Sequence, residues 1–138
     1  MKGPHMANLI YPHPNGLLLN PGFSQVVVAS GTRTIYIAGQ VSIDALGGLV
    51  GAGDLAAQTQ QVMRNVGLAL AAAGANFSDI VKITTYVVNY RLEHRAVIGM
   101  ARAPFFAGNP PPASTLVGVS SLALPEWLIE IEAIAVLD

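Results

Sequence analysis

The segment from Leu128 to Val136 constrains this chain more than any other, because it places two carboxylates inside an otherwise apolar strand pattern. Successive side chains of an extended strand point to opposite faces. Glu130 and Glu132 therefore share one face with large apolar residues, and their Cβ atoms lie roughly 7 Å apart. If that face is covered, each carboxylate perturbs the pKa of the other, and both need hydrogen-bond or charge partners. The simpler alternative is a face open to water. Glu130, deeper between apolar neighbours, is the leading site candidate.

The scarcity of charge predicts an oligomer. Charged residues make up 11% of the 138 residues, and hydrophobic residues make up 52%. Globular domains usually carry about 25% charged residues. A chain of this length forms one domain, and so little charge leaves a single copy with an apolar surface. Burial of part of that surface in a permanent homo-oligomer is the simplest remedy, because such interfaces resemble a protein core.

Charge and cysteine content argue against several classes of function. The net charge is -1 and no basic run with interleaved aromatic residues occurs, so nucleic acid is not the expected partner. The absence of cysteine excludes thiol catalysis and thiolate metal sites and favours the cytoplasm. Residues 3–32 carry no charged side chain, but prolines, glycines and amides interrupt them too often for a membrane span. We expect no membrane contact.

The chain is predicted to contain one domain over residues 8–138. Residues 1–7 read as an expression-tag remnant or a disordered N-terminus, because they lack the apolar core of a signal peptide. His5 is therefore left out of the site argument. The two other histidines, His13 and His94, lack the spacing of a metal site, so no metal is expected.

The local patterns predict an α+β fold with two helices on one face of a mixed sheet, in the order β, ββ, α, β, α, β, β. The clearest element is a helix that begins at Asp54 and ends at Gly74. Two β-rich runs, 26–29 and 34–38, have the spacing of a tight hairpin. Further strands are predicted over 9–11, 80–88, 114–119 and 128–136, and a weaker helix over 92–103, which Pro104 should kink or end.

The second helical segment concentrates positive charge. Arg91, Arg95 and Arg102 lie there with His94, and only Glu93 opposes them. The simpler interpretation is a solvated helix face. The alternative is that one of these residues, Arg102 foremost, points into a ligand cleft.

Several separate motifs follow one another between about Asn20 and Leu137, nearly the whole chain. They are Pro21-Gly22-Phe23-Ser24-Gln25, Ile37-Ala38-Gly39-Gln40, Ala57-Gln58-Thr59-Gln60-Gln61, Val81-Lys82-Ile83-Thr84-Thr85-Tyr86, Pro112-Ala113 and Ile129-Glu130-Ile131-Glu132-Ala133-Ile134-Ala135-Val136. Taken together, these motifs resemble the Rid family of reactive intermediate deaminases, also called YjgF-like.

The resemblance implies both an assembly and a reaction. It implies a chorismate-mutase-like fold that forms a homotrimer, with the sheets around a central barrel, the helices outside and three clefts between subunits. It also implies hydrolysis of reactive imines or enamines to ammonia and a carbonyl compound, without a metal or an organic cofactor. The expected partner is thus a small-molecule substrate.

The chain departs from the family pattern at the substrate-binding positions. In deaminases of the family an arginine follows the Pro-Ala pair and binds the substrate carboxylate with two hydrogen bonds, whereas this chain has Ser114. Phe23 stands where a tyrosine is common, Ala38 where a serine is common, and Leu116 where a cysteine or small residue is common. Because a hydroxyl cannot replace the charge of an arginine, we predict poor activity on small 2-imino acids.

Hydrolysis of a C=N bond needs a water placed on the carbon, an acceptor for its proton and a donor for the departing nitrogen. Glu130 matches the acid of the family and is predicted to position and activate that water. Hydroxyls at 114 and 115 and backbone groups near 39 could donate hydrogen bonds to a polar substrate group. The predicted substrate-binding residues are Ser114, Thr115, Gly39, Phe23 and Arg102.

Two functions remain open at this point. The first is an arginine-lacking Rid-type enzyme that acts on a less common imine or enamine. The second is a non-catalytic trimeric binding protein that has kept the fold and the clefts. A deep cleft between chains, with Glu130 buried and an arginine from residues 91–102 reaching in, favours the enzyme. An apolar, closed or water-filled dead cleft favours the binding protein. Ser114 is disfavoured as a nucleophile, because no Gly-x-Ser-x-Gly elbow surrounds it.

Overall fold

The computed structural model describes residues 6–138. Of the predicted N-terminal tag, residues 1–5, including His5, lie outside the described residues. Met6 forms a single β-bridge with Leu137, and Ala7 is buried. The domain boundary after residue 7 stays a prediction.

The secondary structure follows the predicted order. The elements are β1 (Asn8–Ile10), β2 (Val28–Ser30), β3 (Arg33–Gln40), α1 (Leu55–Ala72), β4 (Ile80–Val88), α2 (His94–Arg102), β5 (Ala113–Val119) and β6 (Ile129–Leu137). Short 3-10 turns over Phe77–Asp79 and Ala103–Phe106 precede β4 and follow α2. The predicted α+β class is confirmed.

Four strands form the main sheet in the order β3-β6-β4-β5. Strand β6 is antiparallel to both of its neighbours, and β4 is parallel to β5. The predicted hairpin is wrong, because β2 pairs with β1 in a separate two-stranded sheet while β3 pairs with β6. The turn between β2 and β3 passes against the end of β6, where a Cβ on Gly31 would lie 2.5 Å from the Leu137 carbonyl oxygen. After this turn the chain enters the main sheet, where β3 pairs with β6.

The helices begin and end for local reasons. The Asp54 side chain accepts a hydrogen bond from the Ala57 N–H at 3.0 Å, which caps α1. Gly74, with φ of +76°, ends that helix. Pro104 falls in the 3-10 turn, so α2 ends at Arg102, as predicted. Within residues 6–138, no helix combines the length and the apolar character needed to cross a membrane.

The core lies between the two helices and one face of the main sheet. Alternate residues of β6 are buried, and the interleaved residues are half-buried, so the predicted faces of this strand are confirmed. From α1, the core receives Val62, Met63, Val66 and Leu70, and α2 contributes Ile98. The opposite face of the sheet, called the open face below, carries Glu130 and Glu132 together with Tyr36, which is 78% exposed.

Candidate functional site

The structure places Glu130 on the open face, at the start of β6. Its neighbour on β4 is Tyr86, and Glu132 lies opposite Thr84. The Tyr86 hydroxyl donates a hydrogen bond to the Glu132 carboxylate. Within the described residues, Glu130 has no hydrogen bond or ion pair to its carboxylate. Of the two acids in the strand, Glu130 is therefore the one whose oxygens remain open to a ligand.

Gly39 leaves space for the side chain of Glu130, because it has no side chain of its own. The register of β3 against β6 shifts between Ile37 and Gln40, so that Gly39 lies beneath the Glu130 side chain. A Cβ at position 39 would lie 2.7 Å from the carboxyl carbon and would overlap the carboxylate. Gly39 thus sets the position of the acid by lacking a side chain, while its predicted contact with substrate stays a prediction.

The surroundings of Glu130 favour its neutral form. Partial burial raises the pKa of the Glu130 carboxyl above its usual value, and the nearby charge of Glu132 raises it further. The pKa of Tyr86 is also raised, chiefly because its hydroxyl donates a hydrogen bond to Glu132. A raised pKa makes the Glu130 carboxylate a stronger base than an ordinary glutamate.

A cavity of about 660 Å³ lies on the other side of the sheet, between residues 20–23, α2 and β5. Ser114, Phe23 and Arg102 line it. Ser114 pairs with the core residue Ile83, which fixes the face toward which the serine points. The volume lies in the range of small-molecule pockets.

Thr115 points away from this cavity. It pairs with Thr84 and accepts a hydrogen bond from the Lys82 ammonium at 2.5 Å, so it lies on the open face. Within one chain, the two neighbouring hydroxyls cannot contact the same ligand. The structure therefore divides the predicted site into an acid half and a cavity half. The acid half contains Glu130 and Gly39, and the cavity half contains Ser114, Phe23 and Arg102. Thr115 is on the open face with the acid half, but it lies two strands away from Glu130.

Arg102 supplies an unpaired positive charge to the cavity. Its Nη1 donates a hydrogen bond to the buried Thr85 hydroxyl at 3.2 Å, and its guanidinium carbon lies 6.0 Å from the ring centroid of Phe106. Within the described residues no carboxylate forms an ion pair with it. Desolvation lowers the pKa of Arg102 to about 10, so the side chain stays charged near neutral pH. A desolvated cation without a counter-ion favours an anionic ligand.

Arg95 also lines this cavity, although the sequence analysis expected one residue of this group there, with Arg102 foremost. Residues seven apart lie two turns apart on the same helix face, and this spacing could have identified the pair. Arg91 differs from both, because its Nε lies 2.9 Å from a carboxylate oxygen of Glu93.

The histidines lie in separate environments. His13 lines a smaller cavity of about 270 Å³ that shares Phe23 with the first. The Nδ1 atom of His94 accepts a hydrogen bond from the Arg91 backbone N–H at 3.0 Å. Within residues 6–138, no group of three or more His, Asp or Glu side chains is arranged to hold a metal ion. Metal-free chemistry stays a prediction.

Sequence comparison finds relatives over most of the chain. The profile of the family described as Endoribonuclease L-PSP matches residues 18–137. A RutC family protein of Pyrococcus horikoshii is 38% identical over 113 residues, which is 82% of this chain and 85% of that protein. The 2-iminobutanoate/2-iminopropanoate deaminase of Rattus norvegicus is 34% identical over 115 residues, which is 83% of this chain and 79% of that enzyme.

Solved structures share the same fold. The crystal structure of YyfB from Yersinia pestis, a conserved Rid family protein of unknown function, has a TM-score of 0.89 and 44% identity, covering 94% of this chain and 98% of that one. A putative endoribonuclease of Thermotoga maritima has a TM-score of 0.67 and 29% identity, covering 99% of this chain and 98% of that one. The similarity thus extends through nearly the whole chain in both sequence and structure.

Proposed function

The chain belongs to the Rid or YjgF-like family, and from that premise we propose that it is a hydrolase of the imine or enamine deaminase type. The reaction adds water to a C=N bond and releases ammonia and a carbonyl compound. The observation that carries the proposal is the carboxylate of Glu130, which has a raised pKa, no partner among the described residues and room above Gly39. We propose a cytoplasmic enzyme that uses neither a metal nor an organic cofactor and has neither nucleic acid nor a membrane as a partner.

One carboxylate can serve both proton transfers of this reaction. The ionised Glu130 accepts a proton from water as the water oxygen bonds to the imine carbon. The protonated carboxyl returns that proton to the nitrogen, which gives a carbinolamine with a hydroxyl and an amino group on one carbon. Glu130 then accepts the remaining hydroxyl proton as the carbonyl forms and passes it to the nitrogen, which leaves as ammonia. The raised pKa supports this role, because it makes the Glu130 carboxylate a stronger base toward the attacking water.

The site we propose contains residues of two copies of the chain. Glu130 and the cavity lie on opposite faces of one sheet, so they cannot hold the same substrate within one chain. Gly39, beneath the acid, lies on one edge strand, and Ser114 lies on the other. Head-to-tail contact of unlike edges gives a ring when the rotation between copies closes, and the family resemblance implies a closed ring of three copies. Such a ring would also cover exposed apolar residues of the open face, including Tyr36.

Glu132→Gln is expected to move the acid limb of the pH–activity profile to lower pH. The base must be ionised, so activity falls as pH drops through the pKa of Glu130. The charge of Glu132 contributes to the raised pKa, and a neutral amide removes that repulsion. Measurement of kcat/KM against pH tests this shift. The exposed Glu126→Gln variant is the control, and an acid limb that stays in place in Glu132→Gln would contradict the coupling.

Turnover of 2-iminobutanoate is expected to be about 10- to 100-fold slower than in a deaminase with arginine at the position of Ser114. Loss of a two-point charged contact costs about 2 kcal/mol or more in transition-state binding. Ammonia release from freshly generated 2-iminobutanoate, compared with the rat deaminase, measures the difference. Ser114→Arg should raise the rate and Ser114→Ala should not. A wild-type rate equal to that of the rat enzyme would refute the argument.

The experiment that tests the proposed activity is an ammonia-release screen over generated imines and enamines. The alternative, a non-catalytic trimeric binding protein, would use the same cavity. The charged guanidinium of Arg102 in that cavity favours the enzyme, because an arginine that reaches into the cleft is one of the features expected of the enzyme and argues against a purely apolar cleft. Turnover of at least one imine that depends on Glu130 supports the proposal, whereas binding without any turnover supports the alternative.

A further inference from the structure

The cavity has a positive charge toward each end of one helix face. Arg95 and Arg102 both line it, and their Cα atoms lie about 10.5 Å apart along the axis of α2, at 1.5 Å per residue. Arg102 forms the inner end, where it is bonded to the buried Thr85, whereas Arg95 is exposed. None of the residues of this chain that line the cavity is an aspartate or a glutamate.

The wall between the two arginines is open and largely apolar. Ile98 and Gly99 line the cavity on the helix side, and Phe23 and Leu116 line it on the other sides. A Cβ added at Gly99 would have no atom within 4 Å, so the space beside this part of the helix is empty. A ligand that spans the two ends of this helix face is therefore extended and has apolar side chains of the cavity along its middle.

We propose that the cavity binds an extended small-molecule dicarboxylate, with one carboxylate on Arg102 and the other on Arg95. Arginine guanidinium groups match carboxylates in geometry and charge. The inference deepens the proposed function, on which it rests for the identity of the site, by giving the class of its substrate as an imine or enamine with two carboxylates. A small monocarboxylate would contact one arginine and leave most of the cavity unfilled.

Calorimetric titration of the full-length protein with unreactive probes tests this inference without any turnover. The probes are saturated dicarboxylates of increasing length, from succinate to suberate, and the monocarboxylate hexanoate. We expect one of the longer dicarboxylates to bind at least about tenfold more tightly than hexanoate, because it makes a second charge-assisted contact. Equal affinities for hexanoate and every dicarboxylate would overturn the proposal.

Variants separate the two ends of the ligand. Arg95→Gln should lower the affinity of the best dicarboxylate to the level of hexanoate and leave hexanoate unaffected. Arg102→Gln should weaken both probes by about tenfold or more. Arg91→Gln is the matched control, because Arg91 pairs with Glu93 and does not line the cavity, so both affinities should stay unchanged. Unchanged dicarboxylate binding in Arg95→Gln would overturn the proposal.

Gly99→Leu tests the space between the arginines while it keeps both charges. The leucine fills the empty volume beside α2 and should abolish dicarboxylate binding. The fold should survive, because leucine favours a helix more than glycine does, and a melting temperature at or above that of wild type would verify this. Full dicarboxylate binding in the folded variant would overturn the proposal. Dicarboxylate binding without imine hydrolysis would contradict the proposed function but not this inference. Imine hydrolysis without a preference for dicarboxylates would contradict this inference but not the proposed function.

Discussion

Replacement of Glu130 by glutamine is expected to lower kcat at least about 100-fold and to change KM little. The amide has nearly the same shape, so it can occupy the space above Gly39, but it cannot accept the proton of the attacking water. Because the lost function belongs to the transition state, substrate binding in the cavity half should persist. Ammonia release from the best imine of the screen, measured over a range of substrate concentrations, gives both constants.

Two further variants show whether the loss belongs to this carboxylate. Gly39→Ala keeps Glu130 but places a methyl group where the carboxylate lies, so activity should fall while the fold is retained. Glu126→Gln changes an exposed acid of the loop before β6 and should leave both constants unchanged. If Glu130→Gln kept kcat within a few-fold of wild type at every pH, Glu130 would not be the base.

The alternation of side chains predicted the strand faces from local information. In β6, the residues assigned to one face are buried and the interleaved residues, including both acids, are half-buried. The same rule applies to β5 and already separates Ser114 from Thr115, which the sequence interpretation had placed on one ligand. Helix α1 could be predicted equally well, because the residues that begin and end it, Asp54 and Gly74, act only on neighbouring residues of the chain.

Features that depend on pairing between distant strands could not be predicted from local sequence patterns. The turn between β2 and β3 has the length of a hairpin, yet β3 pairs with β6, about a hundred residues along the chain. Alternation alone does not say which of the two residues faces the cavity, because that depends on the register that places Ser114 beside Ile83. Gly39 was predicted to contact the substrate, and only the fold shows that it lies beneath the Glu130 side chain.

A mixture of two impaired variants is expected to recover activity in mixed trimers. Glu130→Gln lacks the acid but keeps an intact cavity, and Arg102→Gln lacks the inner cation but keeps an intact acid. A site between two subunits is wild type when an Arg102→Gln chain supplies the acid and a Glu130→Gln chain supplies the cavity. In a random one-to-one mixture of a cyclic trimer, this occurs at about one quarter of the sites. Activity at low substrate concentration, before and after subunit exchange, measures the recovery.

The matched control combines two variants of the same half. Glu130→Gln and Gly39→Ala both damage the acid half, so no pairing of their chains rebuilds a complete site, and their mixed trimers should stay impaired. If Glu130 and Arg102 acted from within one chain, the first mixture would also recover nothing, because each chain would carry one defective site. Absence of recovery in trimers shown by mass to contain both variants would therefore contradict the shared site, while recovery limited to the first mixture would assign the acid and the cavity to neighbouring subunits.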